Sequence, residues 1–248
     1  MIHRTISGIP QTAARAHGQE PDRNSASRRI QIQELSLAGI HLKLLPQRAV
    51  WWEDRTALFV SDLHFGKEAT FRAAGIPVPD QTSEILSRLS FLLEWTRVTD
   101  LVVLGDLLHA RRGRCETTFE HIRSWRHQHV DTRMHLVRGN HDASAGDPPA
   151  DWAFECRDEP HISDTWHPLV LCHIPKSAPG LVGLAGHLHP MVRLTGEARD
   201  SVRLPCFHLR NNVLTLPAFS PFVDGAAIRL TEGDAIYGIC DDQVLKLT

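Results

Sequence analysis

Thr56-Ala57-Leu58-Phe59-Val60-Ser61-Asp62-Leu63-His64 is an apolar run that ends on a carboxylate and an imidazole, and the same form recurs down the chain. Leu101 to Gly105 runs into Asp106-Leu107-Leu108-His109, and Met134 to Gly139 into Asn140-His141-Asp142. Leu169 to Cys172 runs into His173, and Val182 to Gly186 into His187-Leu188-His189. These runs are short, several are rich in Val, and Gly or Pro punctuates them, which favours buried strands over helices. In layered α/β folds, ligand-binding residues sit in loops beyond the carboxyl ends of strands. Five strand ends closing on ligand-type residues predict an α/β fold that builds one site.

Ligand chemistry assigns roles within that set. Asp62 and His64 lie two apart and can face one ion as the chain leaves its strand. Asp106 suits a bridge, since one carboxylate can hold two cations roughly 3.5–4 Å apart. Asn140 offers a neutral carbonyl oxygen, and His173, His187 and His189 complete the shells. No cysteine falls at a ligand position, although Cys172 adjoins one. Such an oxygen and nitrogen set suits two divalent ions, manganese, iron or zinc, and argues against a structural thiolate zinc site. Paired metals are a common device for hydrolysing phosphate esters.

The ordered motifs D-x-H, G-D-x-x-H, G-N-H-D, H and G-H-x-H, from Asp62 to His189, resemble those of the calcineurin-like metallophosphoesterase superfamily. The resemblance implies a sandwich of two mixed β-sheets flanked by helices. It implies one metal on Asp62, His64, Asp106 and His189, and a second on Asp106, Asn140, His173 and His187. It makes His141 the general acid that protonates the leaving oxygen, Asp142 the residue that orients it, and His109 a neighbour that supports the site or touches substrate. An imidazole suits proton transfer because its ordinary pKa of about 6.5 lies near working pH. The implied reaction is in-line attack on phosphorus by hydroxide held between the metals.

Two further stretches resemble one narrow branch, the bacterial ligase-associated DNA-damage-response phosphoesterases. They are Ser61 to Arg72 with Gly75-Ile76-Pro77-Val78-Pro79, and Leu204 to Leu209 with Leu216-Pro217-Ala218-Phe219. That branch implies a manganese-dependent DNA endonuclease acting beside an ATP-dependent DNA ligase, a second nuclease and a helicase. The loop after His109 adds Arg111, Arg112 and Arg114, whose guanidinium forks suit phosphate oxygens. Lys67, Arg72 and Lys176 lie near the same motifs. Net charge is only −2, so a strong global pull on long duplex DNA is not expected. A local path for single-stranded or structured DNA fits better. Rival readings keep the site but change its use: a phosphoesterase for small molecules or cyclic nucleotides, or a non-catalytic scaffold.

The chain's 248 residues, 42% hydrophobic, suffice for one sizeable core. Residues 1–31 read as a disordered tail and residues 32–248 as the metallophosphoesterase domain, since Met1 to Arg29 lacks apolar periodicity. No apolar run is long enough for a membrane span. The five unpatterned cysteines read as reduced thiols in a cytoplasmic protein. Helices are expected at Lys67 to Ala74, Thr82 to Thr96 and Glu116 to His129, with His121, His127 and His129 in solvent. Flanking strands are expected at Ile40 to Leu45, Ala49 to Trp52, Val192 to Thr195, Cys206 to Leu209, Val213 to Leu216, Ala226 to Leu230 and Ala235 to Ile239.

Overall fold

Alternation along the central strands determines how the layers stack. In the computed structural model, which describes residues 30–73, 75–195, 201–221, 223–229 and 231–248, strand β4 (Ala57–Val60) is buried along its whole length. Leu58 and Val60 face one core, while Ala57 and Phe59 face another. Strand β5 (Asp100–Leu104) repeats this, with Leu101 and Val103 on the first side and Val102 and Leu104 on the second. A strand buried on both faces reads as a continuous apolar run, as parallel strands covered on both sides do.

Sheet one runs β1 (Gln33–Leu37), β2 (Ile40–Leu45), β3 (Ala49–Trp52), β4, β5, β6 (Arg133–Val137) and β7 (Phe154–Arg157) in spatial order. Its first four strands form an antiparallel meander, and β4 to β7 are parallel. Sheet two contains β8 (Leu169–Leu171), β9 (Val182–Ala185), β10 (Met191–Thr195), β11 (Ser201–Arg210), β12 (Val213–Thr215), β13 (Ala235–Cys240) and β14 (Gln243–Lys246). The pairs β8·β9 and β9·β12 are parallel and the others antiparallel. Asn211 and Asn212, at φ 50° and 60°, form the two-residue turn between β11 and β12, where such a hairpin needs two left-handed residues.

Helices cover the outer face of sheet one. In α2 (Gln81–Thr96), Ile85, Leu86, Leu89, Leu92 and Leu93 recur at helical spacing and enter the first core with Ile122 and Trp125 of α3 (Glu116–Gln128). Helix α1 (Lys67–Ala73) follows the His64 loop, and α4 (Asn140–Ala145) follows β6. Between the sheets, Phe59 meets Trp166 edge to face with centroids 5.8 Å apart.

Several expectations change. Gln31, assigned to the tail, pairs with Gln243 beside the C-terminal strand; residues 1–29 lie outside the described residues. Ala226 to Leu230 is not a strand: Ala227 makes a single bridge to Met191, and Leu230 lies outside the described residues. His129 is not a solvent residue, since Nε2 meets Ser90 Oγ at 2.9 Å and the ring tilts against Trp125. Trp51, Trp52 and Trp125 are buried, and Trp95 packs partly buried against the first core. All five cysteines are free thiols. Among the described residues no helix is long and apolar enough to cross a membrane.

Asp100 clamps β5 to β6 at the edge remote from the strands' carboxyl ends. Its oxygens accept hydrogen bonds from Arg133 Nε (2.8 Å) and Nη2 (2.6 Å), and His135 Nε2 lies 2.8 Å away. Burial alone would raise its pKa, but the bonds from Arg133, His135 and Thr99 hold the carboxyl down to about 2. Because the folded pKa lies below the unfolded value near 3.9, the clamp stabilises fully above about pH 4 and is lost as pH falls towards 2. Asp100→Asn is expected to cost about 1.5–3 kcal/mol in urea unfolding at pH 7. The gap to the unsubstituted protein should narrow between pH 4 and pH 2.

Candidate metal centre

Five strand ends meet at one edge of the sandwich. Asp62 and His64 follow β4, Asp106 follows β5, Asn140 opens α4 after β6, His173 follows β8, and His187 and His189 follow β9. Beyond the strands the β4 and β5 loops stay paired, with Asp62 N donating to Gly105 O (3.1 Å) and His64 N to Asp106 O (2.9 Å). On the other sheet Gly186 N donates to His173 O (3.0 Å). Two parallel ladders thereby extend into the loops and fix where each side chain emerges.

The backbone turns sharply there. Asp62, His64, Asp106, His187 and His189 have φ values of 55°, 49°, 53°, 68° and 44°. Non-glycine residues in the left-handed region are disfavoured by roughly 1–2 kcal/mol each, and such outliers cluster at functional sites. The glycines beside them are set by close approach. A Cβ on Gly105, itself at φ 82°, would sit 2.1 Å from His173 Nδ1, and one on Gly139 would sit 2.3 Å from Asp106 Oδ1.

The side chains form two groups that share Asp106. On one side, His189 Nε2 lies 3.0 Å from Asp62 Oδ1, and His64 Nε2 lies 4.0 Å from Asp62 Oδ1 and 3.8 Å from Asp106 Oδ2. On the other, His173 Nε2 lies 3.4 Å from Asp106 Oδ1, 2.9 Å from Asn140 Oδ1 and 3.1 Å from His187 Nδ1. Asp62, His64 and His189 can converge on a metal ion, as can Asp62, Asp106 and His173. Fit to a cation follows from the donors: Asp62 Oδ1, His64 Nε2 and His189 Nε2 are buried and lack a hydrogen-bond partner among the described residues. Buried polar atoms left unpaired are costly, and a shared cation would satisfy all three.

Proton affinities agree with that reading. Burial pulls the His64 imidazole down to about 3 against the opposing charges of Asp62 and Asp106, so it presents neutral nitrogens. Burial also pulls on His173, but its hydrogen bond to Asp106 and the charges of Asp62 and Asp106 outweigh it and push the ring up to about 9. A proton and a cation compete for that position. Burial pushes the Cys172 thiol up to about 11, which leaves no thiolate beside the centre.

Neighbouring groups orient the ligands. His173 Nδ1 meets Leu104 O at 3.0 Å and can only donate to it, which aims Nε2 at Asp106 and Asn140. His189 Nδ1 lies 3.3 Å from Asp224 O, and Glu159 Oε2 accepts from His173 N (2.7 Å) and Ile174 N (2.8 Å). Sequence reasoning missed Asp224 and Glu159, because neither lies in a motif: Asp224 acts through its backbone carbonyl, and Glu159 through backbone N–H groups that its carboxylate holds.

Asp142 does not hold the His141 ring. Its carboxylate accepts from the backbone N–H groups of Gly139 (2.9 Å), Asp106 (2.8 Å), Leu107 (3.1 Å) and Leu108 (3.3 Å). His141 Nδ1 instead lies 2.6 Å from His109 O, and the His109 ring stacks on it with centroids 5.2 Å apart. Of the loop arginines, Arg111 and Arg114 bond to backbone carbonyls near α4, while the Arg112 side chain lies outside the described residues.

The model of the calcineurin-like phosphoesterase family matches residues 55–204. A nuclease from Pseudomonas putida, MPE, is 36% identical, with 88% of this chain and 100% of that chain covered and a TM-score of 0.75. YfcE, a phosphoesterase from E. coli, is 17% identical over 75% of this chain and 88% of that one, with a TM-score of 0.35. No curated protein matches the chain.

A methyl group at position 105 tests the geometry of the centre. Gly105→Ala is expected to keep its circular dichroism spectrum yet weaken divalent-metal binding at least ~10-fold, read by calorimetry. Unchanged affinity would mean that His173 is not held by this close approach.

Proposed function

Because the chain belongs to the calcineurin-like phosphoesterase family, we propose that this metal-dependent phosphoester hydrolase is a two-metal phosphodiesterase that cuts DNA. The observation that carries two metals is Asp106, whose Oδ2 faces His64 and whose Oδ1 faces His173. Asp62, His64, Asp106 and His189 would hold one ion, and Asp106, Asn140, His173 and His187 the other. The oxygen and nitrogen set suits manganese, iron or zinc, and the branch resemblance favours manganese among them. Bound there, divalent ions supply Lewis-acid chemistry: they lower the pKa of water and offset charge on the phosphoryl oxygens.

The chain's own residues manage the proton. A carbonyl can only accept, so His141 Nδ1 keeps its hydrogen on His109 O, and Nε2 becomes the atom that gains and gives a proton. That nitrogen lies 3.9 Å from Asp106 Oδ2, and the side chain is 36% exposed. It is therefore placed beside the metal donors and open to a leaving oxygen, as a general acid requires. Burial first, then the charges of His141 and Lys67, hold His109 down to about 4, so it stacks on His141 as a neutral ring.

Nuclease activity is supported by the Pseudomonas putida relative, which is a nuclease. A place in DNA repair beside an ATP-dependent ligase, a second nuclease and a helicase rests on the branch resemblance in Ser61 to Arg72 and Leu216 to Phe219. Single-stranded or structured DNA fits the modest net charge better than long duplex.

The test is cleavage of plasmid and single-stranded DNA, with and without manganese, beside bis(p-nitrophenyl) phosphate and its monoester. Asp106→Ala is expected to lose metal and activity together. His141→Ala should keep metal and lose ~10²–10⁴-fold in rate, least for good leaving groups. Cutting of small esters alone would move the substrate to a small molecule, and no cleavage with any divalent metal would defeat the proposal.

A further inference from the structure

Helix α4 carries Asn140 and His141 on its first turn, yet it is only six residues long. Isolated helices of that length do not persist in water, so its ends must be fixed from outside. Asp142 fixes the amino end through its bonds to Gly139, Asp106, Leu107 and Leu108. The carboxyl end leaves carbonyls without intrahelical partners, and two arginines take them. Arg114 Nη1 donates to Ala145 O (2.8 Å) and Asp147 O (3.1 Å), and Arg111 Nε donates to Ser144 O (3.0 Å).

The turn bearing these arginines is itself wedged in place. A Cβ on Gly66 would sit 2.2 Å from Gly113 O, so the turn lies directly against the loop that carries His64. Arg114 also lies over the Phe119 ring of α3, 5.2 Å from its centroid. One short turn thus touches the His64 loop, the end of α4 and, through the preceding His109 carbonyl, the His141 ring.

Resting on the phosphoester-hydrolase reading above, we infer that Arg114, assisted by Arg111, is a positioning residue that holds α4 so that His141 and Asn140 stay in register with Asp106. The guanidinium acts on the protein's own carbonyls, where the sequence suggested a grip on substrate phosphates. Displacing a reacting group by about 1 Å can cost ~10²-fold in rate, so the effect falls on turnover rather than on binding.

Arg114→Ala and Arg114→Lys separate the two roles. Positioning predicts that Arg114→Ala lowers kcat ~10–100-fold on single-stranded oligonucleotides, by the same factor whatever their length, and by less on bis(p-nitrophenyl) phosphate, whose leaving group is good. KM and the salt dependence should stay unchanged, esters with poor leaving groups should suffer most, and Lys should restore part of the loss. A loss confined to oligonucleotides, growing with length and accompanied by a shallower salt dependence, would make Arg114 a phosphate contact and overturn the inference.

An activity-independent readout keeps the two hypotheses apart. The His141 Nδ1 proton, bonded to His109 O, should give a slowly exchanging imidazole signal by NMR. It is expected to weaken in Arg114→Ala, return in Arg114→Lys, and weaken less in Arg111→Ala, which removes one bond and serves if the first variant does not fold. An unchanged signal in a folded Arg114→Ala overturns the inference. Absence of cleavage by the unsubstituted protein would overturn the functional reading alone.

Discussion

The Asp142 carboxylate, buried and ringed by four backbone N–H groups, is the contact on which the centre's geometry depends. Three of those donors lie in the loop after β5 and one lies just before α4. A single anion therefore ties the Asp106 turn to the Asn140 helix. Burial raises the Asp142 pKa, Asp106 nearby adds to that, and the bonds from Gly139, Leu108 and Asp106 oppose it. Charge-assisted bonds are stronger than neutral ones, which suits a residue that must hold two chain segments in a bent geometry.

That bend carries an energetic cost. Five ligand residues in the left-handed region represent on the order of 5–10 kcal/mol of backbone strain, comparable to the net stability of a typical domain. Such strain persists only where the surroundings over-determine the conformation. Here the restraints are the paired loops, the carbonyl partners of His173 and His189, the Asp142 ring of donors and the glycines that let neighbours approach. Buried donors without partners add to the cost, and a cation that satisfies them would link metal binding to folding.

Much of this was legible in the sequence, for a physical reason. The strands that carry the site are buried on both faces, so Leu101 to Gly105 and Val182 to Gly186 read as continuous apolar runs ending in polar residues. What stayed hidden lies where the pattern is weak. Strands β1, β7 and β14 are edge or near-edge strands with mixed exposure, and α4 is too short for helical periodicity. The resemblance implies that Asp142 orients His141, its neighbour in sequence, whereas on a helix N-terminus the side chain turns back to backbone N–H groups. Arg111 and Arg114 were legible as cations but not as partners of carbonyls over thirty positions away.

The two sheets contribute unequally but inseparably to the centre. Asp62, His64, Asp106 and Asn140 come from sheet one, and His173, His187 and His189 from sheet two. The contacts across the seam are polar: His173 Nδ1 with Leu104 O (3.0 Å), His187 N with Asp62 Oδ2 (3.1 Å) and His189 Nε2 with Asp62 Oδ1 (3.0 Å). Functional geometry must hold to about 0.5 Å, and a few polar contacts cannot set that tolerance alone. The apolar core between the sheets does so, through close-packed side chains such as Phe59, Val102, Leu104, Trp166 and Leu184. None of those side chains is a metal donor, yet any shift of one sheet against the other would separate the two donor groups that Asp106 joins. Precision in the metal centre is thus inherited from the same alternation in β4 and β5 that makes the fold readable.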